Sequence, residues 1–387
     1  MKKPPHSRLR FTRVVLENWR NFKRVEVPLQ GRVFLVGPNA SGKSNFLDAF
    51  RFLHQVVAIG GGFQQAIEDR RGVSMLRCLA ARRDPVLGIT VHLGDDKDPD
   101  LWIYELRFNQ KRKEDPCVTL ERVIREGTEI LQRPDAEDRK DPARLSQTYL
   151  EQVHANRAFR EIREFFGSIR YLHIVPQLIR EPERSGGRAS DPYGTDLMEQ
   201  IARAPDKTRN TRLSRIEGAL RIAVPQLQNL ELERDPVTGK PHLRGKYEHW
   251  RPQGQWQREG EFSDGTLRLF GLLWSLLEPG GPLLLEEPEL SLHPQVVRHI
   301  PQMFHRMQSR SGRQVIVSTH STELLSDEGL GLDEVLLLQP DREGTHVIRA
   351  ADHQQVDALL RKGVPLGEAV LPLIAPQGAE QLALFGT

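Results

Sequence analysis

Residues 37–44 spell GPNASGKS and fit the pattern G-x-x-x-x-G-K-[ST] of a phosphate-binding loop. An apolar run at 33–36 predicts a buried strand before the loop, and apolar residues at helical spacing predict a helix after it. Glycines let backbone N–H groups surround a phosphate, and the helix N-terminus adds positive potential. Lys43 should reach the β- and γ-phosphates, and Ser44 should bind Mg²⁺. The candidate nucleotide-binding residues here are Gly37, Asn39, Ser41, Gly42, Lys43, Ser44, Asn45 and, from the preceding turn, Arg20.

A second motif, PLLLEEPELSLHP at 282–294, ends a predicted buried strand in two adjacent acids. Successive strand residues point to opposite sides, so the two carboxylates can have different roles. Glu286 would hold Mg²⁺ through water, and Glu287 would orient the water that attacks the γ-phosphate. P-loop proteins usually have Asp at the first position, so the longer Glu286 leaves the exact metal contact open. An acidic exit from a strand is the alternative interpretation.

Two further segments could reach a γ-phosphate. Ser263 and Gly265 lie in FSDGT, directly before an amphipathic helical pattern, and form a second helix N-terminus suited to phosphate. A single site has no evident use for two such ends, so this one would cap ATP held by another copy; an ordinary helix N-cap is the alternative. His320, in VIVSTHS, ends another predicted buried strand where it could touch the γ-phosphate, although a lone histidine is more often structural.

The remaining sequence supplies the elements that would position these groups. A β meander joined by polar turns precedes a mixed helical region, and the last third alternates strand and helix. Strands are predicted at residues 11–16, 25–27, 33–36, 86–93, 101–108, 118–125, 129–131, 169–175, 227–233, 242–249, 283–285, 314–317 and 335–338. Helices are predicted at residues 45–59, 144–166, 196–224 with an interruption near Pro205, 264–277 and 294–308, and a long loop at 176–193.

The order of these motifs resembles the head of an ABC-type ATPase. Within that class, LENWRNFKRVEV and VGPNASGKSNFLDAF resemble the SMC/RecF group. FSDGTLRLFGLLWSLL with LLLEEPELSLHP is similar to the stand-alone AAA-type ATPases and to the ATPase domain of OLD (overcoming lysogenisation defect) proteins. The resemblance runs from about residue 9 to about residue 338 and implies an α/β fold, a P-loop ABC/SMC-type ATPase head with an antiparallel β subdomain and a helical lid insertion.

The resemblance also implies roles for individual residues. Ser263 and Gly265 would act in trans on ATP held by Lys43 of a second protomer, with residues 289–293 as the D-loop at the dimer seam. Gln177 is the candidate Q-loop residue that senses Mg²⁺, and a solvent-facing loop glutamine is the alternative. The implied catalytic residues are Glu287, His320 and Lys43; the implied metal-binding residues are Ser44, Glu286 and Gln177; and the implied cofactors are ATP and Mg²⁺.

Departures from these families narrow the function. Between Ser44 and Ser263 no heptads are sustained, so no SMC arm exists and only a compact lid fits. The residues after His320 are too few for the Toprim nuclease domain of OLD proteins, so the chain is not expected to cut DNA by itself. We expect one ATPase head at 1–375, made of an N-terminal lobe (1–134), an insertion (135–260) and a signature lobe (261–375), followed by a flexible tail at 376–387.

The predicted function is an ATP-dependent molecular switch that dimerises on ATP and acts on DNA in repair, recombination or anti-phage defence. The alternative is a regulatory ATPase subunit that controls a separate effector, such as a nuclease, without touching DNA. A transport ATPase is disfavoured by the SMC-like opening and the Glu-Glu-Pro motif. A metabolic P-loop kinase is excluded by the signature and by His320.

Composition and charge bear on the partner. The 387 residues carry a net charge of +3, but residues 1–24 hold eight cations against one acid, and residues 321–387 hold eleven acids against four cations. The basic N-terminal segment permits a polyanion partner such as double-stranded DNA, unless arginine is simply the favoured surface cation.

Two cysteines, no membrane-length apolar run and no signal sequence predict a cytoplasmic protein. QLALF at 381–385 resembles peptides that dock on the replication sliding clamp; the alternatives are a tail folded on its own core, or coincidence.

Overall fold

The computed structural model describes residues 9–81, 85–111, 113–181, 193–248, 255–375 and 381. By its internal contacts the chain divides into two units. The first unit comprises Met1–Arg170, Gly280–Leu284 and Gln308–Thr387, and the second comprises Tyr171–Pro279 and Leu285–Met307. The chain therefore leaves the first unit and returns to it twice.

The described strands are, in chain order, β1 (Arg10–Trp19), β2 (Phe22–Pro28), β3 (Arg32–Val36), β4 (Leu87–Gly94), β5 (Trp102–Asn109), β6 (Cys117–Arg125), β7 (Thr128–Arg133), β8 (Arg170–Leu172), β9 (Leu227–Arg234), β10 (Pro241–Tyr247), β11 (Gln255–Arg258), β12 (Leu283–Glu286), β13 (Val315–Thr319), β14 (Val335–Asp341) and β15 (Gly344–Arg349). The described α-helices are α1 (Lys43–Val57), α2 (Phe63–Glu68), α3 (Val73–Leu76), α4 (Ala136–Lys140), α5 (Arg160–Gly167), α6 (Pro176–Arg180), α7 (Leu197–Arg203), α8 (Asp206–Ala223), α9 (Asp264–Leu277), α10 (Pro294–Val297), α11 (Ile300–Ser311), α12 (Gln354–Leu360) and α13 (Leu366–Ile374).

The first unit contains a six-stranded antiparallel sheet in the order β2-β1-β4-β5-β6-β7. The alternation of buried and exposed residues along β1 and β4 to β6 explains why the meander was readable from the sequence. The predicted β meander and the two strands before the phosphate loop are confirmed.

A second sheet has the order β15-β14-β3-β13-β12-β8. All five residues of β3 are buried, and β3 is paired in parallel with β13 on one side and with β14 on the other. Strands buried on both faces of a parallel sheet are typically apolar throughout, as RVFLV nearly is. This sheet puts the residue after β3 at the carboxyl edge of its central strands.

Helix α1 packs on the first unit through an aromatic cluster. The ring of Phe50 lies 4.6 Å from that of Phe11 and 5.8 Å from that of Phe46. Phe52, on another side of the helix, stacks on Phe108 of β5 at 5.5 Å. Each pair adds about 0.5–1.5 kcal/mol beyond its buried area. The helix that follows the phosphate loop is thereby fixed to β1 and to β5.

The second unit has its own apolar core around α8, α9 and a three-stranded sheet in the order β11-β10-β9. Ile216 and Leu220 of α8 meet Phe270 and Trp274 of α9 in this core, and Leu243 of β10 is fully buried in it. The predicted hairpin and the helical break near Pro205 are confirmed, because α7 ends at Arg203 and α8 begins at Asp206.

The predicted helix at 144–166 is wrong over most of its length. The chain instead forms short 3-10 turns at Pro142–Ser146 and Ala155–Phe159, and only α5 is α-helical. The cause is Glu121, a fully buried carboxylate that accepts hydrogen bonds from the backbone N–H groups of Tyr149 and Leu150 at 2.7 and 3.0 Å. These hydrogen bonds replace those that a continuous helix would make at the same N–H groups. A carboxylate on a strand distant in sequence therefore outweighs the helical spacing of apolar residues in this segment.

The predicted helix at 294–308 is two helices, α10 and α11. Pro301, in the first turn of α11, has no N–H to continue the hydrogen bonding of a preceding helix, whereas the first turn of a new helix needs none. None of the described helices is long and apolar enough to cross a membrane.

Candidate functional site

The phosphate loop emerges where β3 and β13, two parallel strands of the first unit, end. Val36, the last residue of β3, pairs with Thr319 of β13 and with Leu337 of β14. Gly37 and His320 are the next residues on adjacent strands, so the loop and the predicted switch histidine leave the same edge of the sheet side by side. Ligands of open α/β sheets bind at this carboxyl edge.

The loop needs its two glycines for steric reasons. A Cβ on Gly37 would lie 2.6 Å from Ser41 Oγ and 2.7 Å from the carbonyl oxygen of Leu338. Both distances are shorter than a carbon–oxygen van der Waals contact, so a side chain at this position would displace one of the two oxygens. Gly42 has φ = 98°, and a Cβ there would overlap the side chain of Asn21. A left-handed conformation at the start of a helix is readily adopted by glycine alone. The consensus glycines thus shape a closely turned loop.

The polar groups of the loop fit a nucleotide phosphate. Lys43 is buried, and its ammonium donates to the carbonyl oxygens of Gly37 and Pro38 at 2.8 and 3.0 Å, which curls the side chain over the loop. Ser41 is fully buried, yet its hydroxyl has no hydrogen-bond partner among the described residues. Ser44 and Asn39 are exposed. A buried hydroxyl without a partner beside a lysine and the N-terminus of a 15-residue helix suits an anionic ligand.

Sequence reasoning missed the residue that clamps this loop, Asn21. Its side-chain amide donates to the Ser41 carbonyl at 3.0 Å and to Thr345 Oγ1 at 2.7 Å, and its Oδ1 accepts from Asn45 Nδ2 at 2.8 Å. Trp19 adds a hydrogen bond from its indole to the Asn45 carbonyl at 2.9 Å. Asn45 is thus placed to support the loop, and its predicted nucleotide contact stays a prediction.

Arg20 is engaged by the phosphate-loop helix itself. Its guanidinium pairs with Asp48 of α1 at 2.8 Å, and Arg70 binds the same carboxylate at 2.7 Å. Burial opposes ionisation of Asp48, but Arg70, followed by Arg20, more than offsets this and holds the pKa of Asp48 below its usual range. The nucleotide-binding role predicted for Arg20 stays a prediction.

In the second unit, Glu286 is the last residue of β12, and Glu287 follows it with φ = 44°. The hydroxyl of Tyr171 donates to the Glu286 carboxylate. Both acids line a cleft, whose walls are Leu172, Ile174, Arg268, Leu272, Leu285, Glu286, Glu287 and Pro288. The left-handed backbone at Glu287 is uncommon for a non-glycine residue, and such conformations concentrate at functional sites.

Arg268, one turn into α9, belongs to the same cleft. Burial lowers the pKa of Arg268 from its ordinary value, and the carboxylates of Asp264 and Glu287 oppose that shift. Its charge faces the predicted water-orienting acid from within the second unit. Arg268 was not singled out from the sequence, because nothing in the signature pattern distinguishes it from an ordinary surface arginine.

The signature residues form the N-terminus of α9. Ser263 is the N-cap of this helix, and its hydroxyl oxygen accepts a hydrogen bond from the backbone N–H of Thr266 at 3.1 Å. Within one chain Ser263 therefore acts as an ordinary helix N-cap, and its predicted contact with ATP of a second copy stays a prediction. Asp264 accepts from Gln177 Nε2 at 3.2 Å and pairs with Arg180 at 2.7 Å. Gln177 lies on α6 and is therefore bonded to the signature, while its predicted role as a metal sensor stays a prediction.

The phosphate loop and the parallel sheet behind it define a P-loop fold of the kind found in ABC/SMC-type ATPase heads. The chain belongs to the family described as "AAA domain, putative AbiEii toxin, Type IV TA system", whose sequence profile matches residues 32–326. The predicted SMC/RecF-like class and the α/β ABC/SMC-type head are confirmed. No curated protein matches the chain in sequence.

Solved structures of SMC heads have the same fold. An SMC head bound to the C-terminal winged-helix domain of ScpA is 13% identical, with a TM-score of 0.52, and the alignment covers 87% of this chain and 96% of that one. The SMC head of Pyrococcus furiosus, bound to the C-terminal domain of ScpA, is 12% identical with a TM-score of 0.50 over 91% and 100%. The SMC head of Pyrococcus yayanosii is 11% identical with a TM-score of 0.50 over 88% and 97%.

Proposed function

We propose that this chain is an ATP-binding and ATP-hydrolysing switch that forms a dimer around ATP. The main support for the proposal is the phosphate loop of the first unit. In this loop Lys43 donates hydrogen bonds to backbone carbonyls, and the buried Ser41 hydroxyl has no hydrogen-bond partner among the described residues. A phosphate could accept hydrogen bonds from the Lys43 ammonium and from the Ser41 hydroxyl. Membership of an AAA family supports ATP as the nucleotide.

Each residue has a distinct part in the proposed reaction. Lys43 would bind the β- and γ-phosphates, and His320 would contact the γ-phosphate from the end of β13. Glu287 would orient the attacking water and accept its proton as the bond to the γ-phosphorus forms and the bond from that phosphorus to the bridging oxygen breaks, with ADP as the leaving group. Ser44 and Glu286 offer oxygen ligands of the kind that Mg²⁺ prefers, and bound Mg²⁺ would neutralise phosphate charge. Tyr171 would hold the Glu286 carboxylate in place.

The signature residues support the proposed dimer. Ser263 and Gly265 begin α9, whose N-terminus carries the positive potential that suits the γ-phosphate of ATP held by a second copy. Residues 289–293 would lie at the seam between copies. ATP then favours only the closed state, because only there does the signature of one copy meet the nucleotide of the other. Hydrolysis would reopen the dimer.

The Glu287→Gln variant tests this proposal. Its amide keeps the size of the carboxylate but cannot accept a proton, so we expect ATP binding without turnover and a dimer stable enough for size-exclusion chromatography with light scattering. The Lys43→Ala variant is the matched control, expected to bind no ATP and to stay monomeric. A Glu287→Gln protein that binds ATP but remains monomeric at all concentrations would contradict the dimer.

DNA is the ligand on which we propose that this switch acts, in repair, recombination or anti-phage defence. The support is the resemblance to SMC/RecF proteins. The basic N-terminal segment adds little support, because every cation among residues 9–24 has an acidic partner in the structure, as in the pairs Arg10–Asp96 and Lys23–Glu343.

The first measurement is steady-state ATPase activity with and without duplex DNA; stimulation that fades with salt supports the proposal. We expect no DNA cleavage, and cleavage that persists in Glu287→Gln would contradict that.

A regulatory subunit is the second candidate. Two of the similar SMC heads were solved with a domain of ScpA bound, so heads of this fold do carry protein partners. This chain would in that case control a separate effector, and its ATPase rate would be indifferent to DNA. Co-purification of one stoichiometric partner from the native cell, retained at high salt, would favour this candidate over the first.

A sliding-clamp contact through residues 381–385 remains a proposal from sequence alone. Residues 382–385 lie outside the described residues. A glutamine that hydrogen-bonds and a Leu-Phe pair that fills an apolar pocket suit a short docking peptide. Clamp pull-down should be lost in the Leu384→Ala/Phe385→Ala variant and retained in the wild type; unchanged binding, or none in the wild type, would end the proposal.

A further inference from the structure

Helix α8 of the second unit buries only one of its faces. Leu213, Ile216 and Leu220 are all at least 98% buried in the apolar core. At 100° per residue these positions span a narrow arc of the helix. The opposite arc is exposed along the whole 18-residue length of the helix. We define the α8 basic face as the exposed residues of that arc, which are Lys207, Thr208, Thr211, Ser214, Arg215, Gly218, Arg221 and Ile222.

The three cations of this face are free of internal partners. Lys207, Arg215 and Arg221 form no side-chain hydrogen bond, ion pair or ring contact with any residue that the structure describes. They lie within about 120° of one another around the helix axis, on the side opposite to the buried stripe. Their charges therefore point outward together, in contrast to the paired cations of residues 9–24.

The acids of α8 do not neutralise the face. Asp206 pairs with Arg209 at 2.8 Å, and Glu217 accepts from the backbone N–H of Leu230 at 3.0 Å. Both lie to the side of the face when the helix is viewed down its axis. Arg212 is also occupied, because its guanidinium lies over the Trp274 ring at 5.2 Å. The α8 basic face therefore carries three positive charges, small polar or hydroxyl side chains and one exposed apolar side chain, that of Ile222.

We propose that the α8 basic face binds the phosphate backbone of duplex DNA, an inference that rests on the proposed action of this switch on DNA. At 1.5 Å per residue, Lys207 and Arg215 are about 12 Å apart along the helix, and Arg215 and Arg221 about 9 Å. The first separation matches the width of the B-DNA major groove, about 12 Å, so Lys207 and Arg215 can each meet a phosphate of one of the two strands that border the groove. Hydroxyls such as those of Thr208 and Ser214 are common additional donors to phosphate oxygens.

The chemistry of the face selects duplex over single-stranded nucleic acid. Single-strand binding without sequence preference depends on aromatic side chains on which bases stack, and α8 has no aromatic residue. Gly218 has no side chain, and no atom of the described residues lies within 4 Å of the position that a Cβ would take, so the face is low at this point. A backbone can approach closely there. The contact should accordingly be insensitive to sequence and sensitive to salt.

The test uses the full chain with the triple variant Lys207→Gln/Arg215→Gln/Arg221→Gln. Binding to a fluorescent 30-base-pair duplex is measured by anisotropy over a salt series. Because each phosphate contact contributes about −0.9 to the slope of log K against log salt, the variant should lose about 2.7 from that slope and bind on the order of a hundredfold more weakly at about 50 mM salt. ATP turnover without DNA should match that of the wild type.

The matched control removes the same charge elsewhere. Lys111, Lys140 and Arg361 are exposed cations of the first unit, and each pairs with an acid three or four residues away. The variant Lys111→Gln/Lys140→Gln/Arg361→Gln has the same net charge as the test variant and should keep the wild-type affinity and slope. Equal losses in both triple variants would show a non-specific charge effect and overturn the α8 proposal.

Other outcomes separate this inference from the proposed function. Wild-type affinity in the α8 variant overturns the inference and leaves the DNA-acting switch intact. Absence of duplex binding by the wild type at every salt concentration overturns both the inference and the DNA branch of the proposed function. In that case an ATP-stabilised Glu287→Gln dimer would still support the ATPase switch. A wild type that prefers single strands over duplex also overturns the inference.

Discussion

Gly265 of the signature lies directly against the backbone of Ser291. A Cβ at Gly265 would stand 2.6 Å from the carbonyl oxygen of Ser291, inside the distance that packed atoms tolerate. Ser291 itself has φ = 61°, an uncommon backbone for serine. The signature and the predicted D-loop of one chain are therefore in contact within the second unit, and displacement of one must be felt by the other.

The Gly265→Ala variant should lose ATP-dependent dimerisation and at least about tenfold in ATPase rate, because the added methyl group must displace a backbone carbonyl at the predicted seam. Light scattering with ATP and steady-state turnover measure the two effects. Gly260→Ala is the matched control, since among the residues that the structure describes no atom lies within 4 Å of a Cβ at that position. Similar behaviour of both variants would mean that the contact does not govern dimerisation.

The Asn21→Ala variant should weaken ATP binding about tenfold by releasing the phosphate loop. Three hydrogen bonds are lost, to Ser41, Thr345 and Asn45, at a cost of about 0.5–1.5 kcal/mol each. Titration with a fluorescent ATP analogue measures the affinity. Thr345→Val removes only the outer of these bonds and should bind nearly as tightly as the wild type. If Thr345→Val weakens binding as much as Asn21→Ala, the effect is loss of folding rather than of loop geometry.

The Tyr171→Phe variant should raise the Mg²⁺ concentration needed for half-maximal ATPase activity by about tenfold. The phenol is the hydrogen-bond donor to Glu286, and removal of such outer partners typically lowers metal affinity by about 10–100-fold. A Mg²⁺ titration at fixed ATP measures this. Tyr247→Phe, elsewhere in the second unit, is the control and should leave the titration unchanged. An unaltered Mg²⁺ requirement in Tyr171→Phe would remove Glu286 from the metal site.

The Asp48→Asn variant should lower the free energy of unfolding by about 3–5 kcal/mol at neutral pH, because it leaves Arg70 and Arg20 without their buried counter-ion. Since the folded-state pKa of Asp48 is depressed, its contribution is present above the unfolded-state pKa of about 3.9 and is lost as pH falls through the folded-state value.

Urea unfolding at pH 7 and at about pH 3 checks this dependence. The difference between wild type and Asp48→Asn should shrink at the lower pH, because the Asp48 carboxyl of the unfolded chain then takes up a proton that the folded chain, with its lower pKa, resists. Asp352→Asn breaks an exposed pair with Arg349 and should cost no more than about 1 kcal/mol at either pH. A difference for Asp48→Asn that is constant with pH would contradict the assignment of its charge as the stabilising feature.

Local patterns predicted the phosphate loop and most strands well, because their signals are contained in short stretches. The loop is eight consecutive residues, and the strands of the meander alternate with a period of two. The same holds for α9, whose N-cap Ser263 stands one residue before the helix. For these elements the interactions that decide the structure lie within about ten residues.

The features that the sequence patterns did not predict depend on contacts between residues that are distant in sequence. Asn21 acts through Thr345, 324 residues away, and no pattern around either residue announces the contact. The helical periodicity at 144–166 was real, yet the buried Glu121 on β6 captured its backbone N–H groups. The hydrogen bond from Gln177 to Asp264 likewise joins residues 87 positions apart, and the metal-sensing role of Gln177 stays a prediction. In each case the deciding atom comes from another element of the sheet or helix layer.

Because β3 lies between β13 and β14, its part of the sheet can form only late in the synthesis of the chain. The strand that carries the phosphate loop ends at Val36, whereas the strands that flank it begin at Val315 and Val335, about 280 and 300 residues later. At roughly 5–20 residues per second a ribosome needs about 15–60 s to deliver them. Until then the nascent loop has no sheet behind it and no Thr345 to hold Asn21. Capture of ATP is therefore a late event in the life of each polypeptide, and prematurely terminated chains should remain without nucleotide.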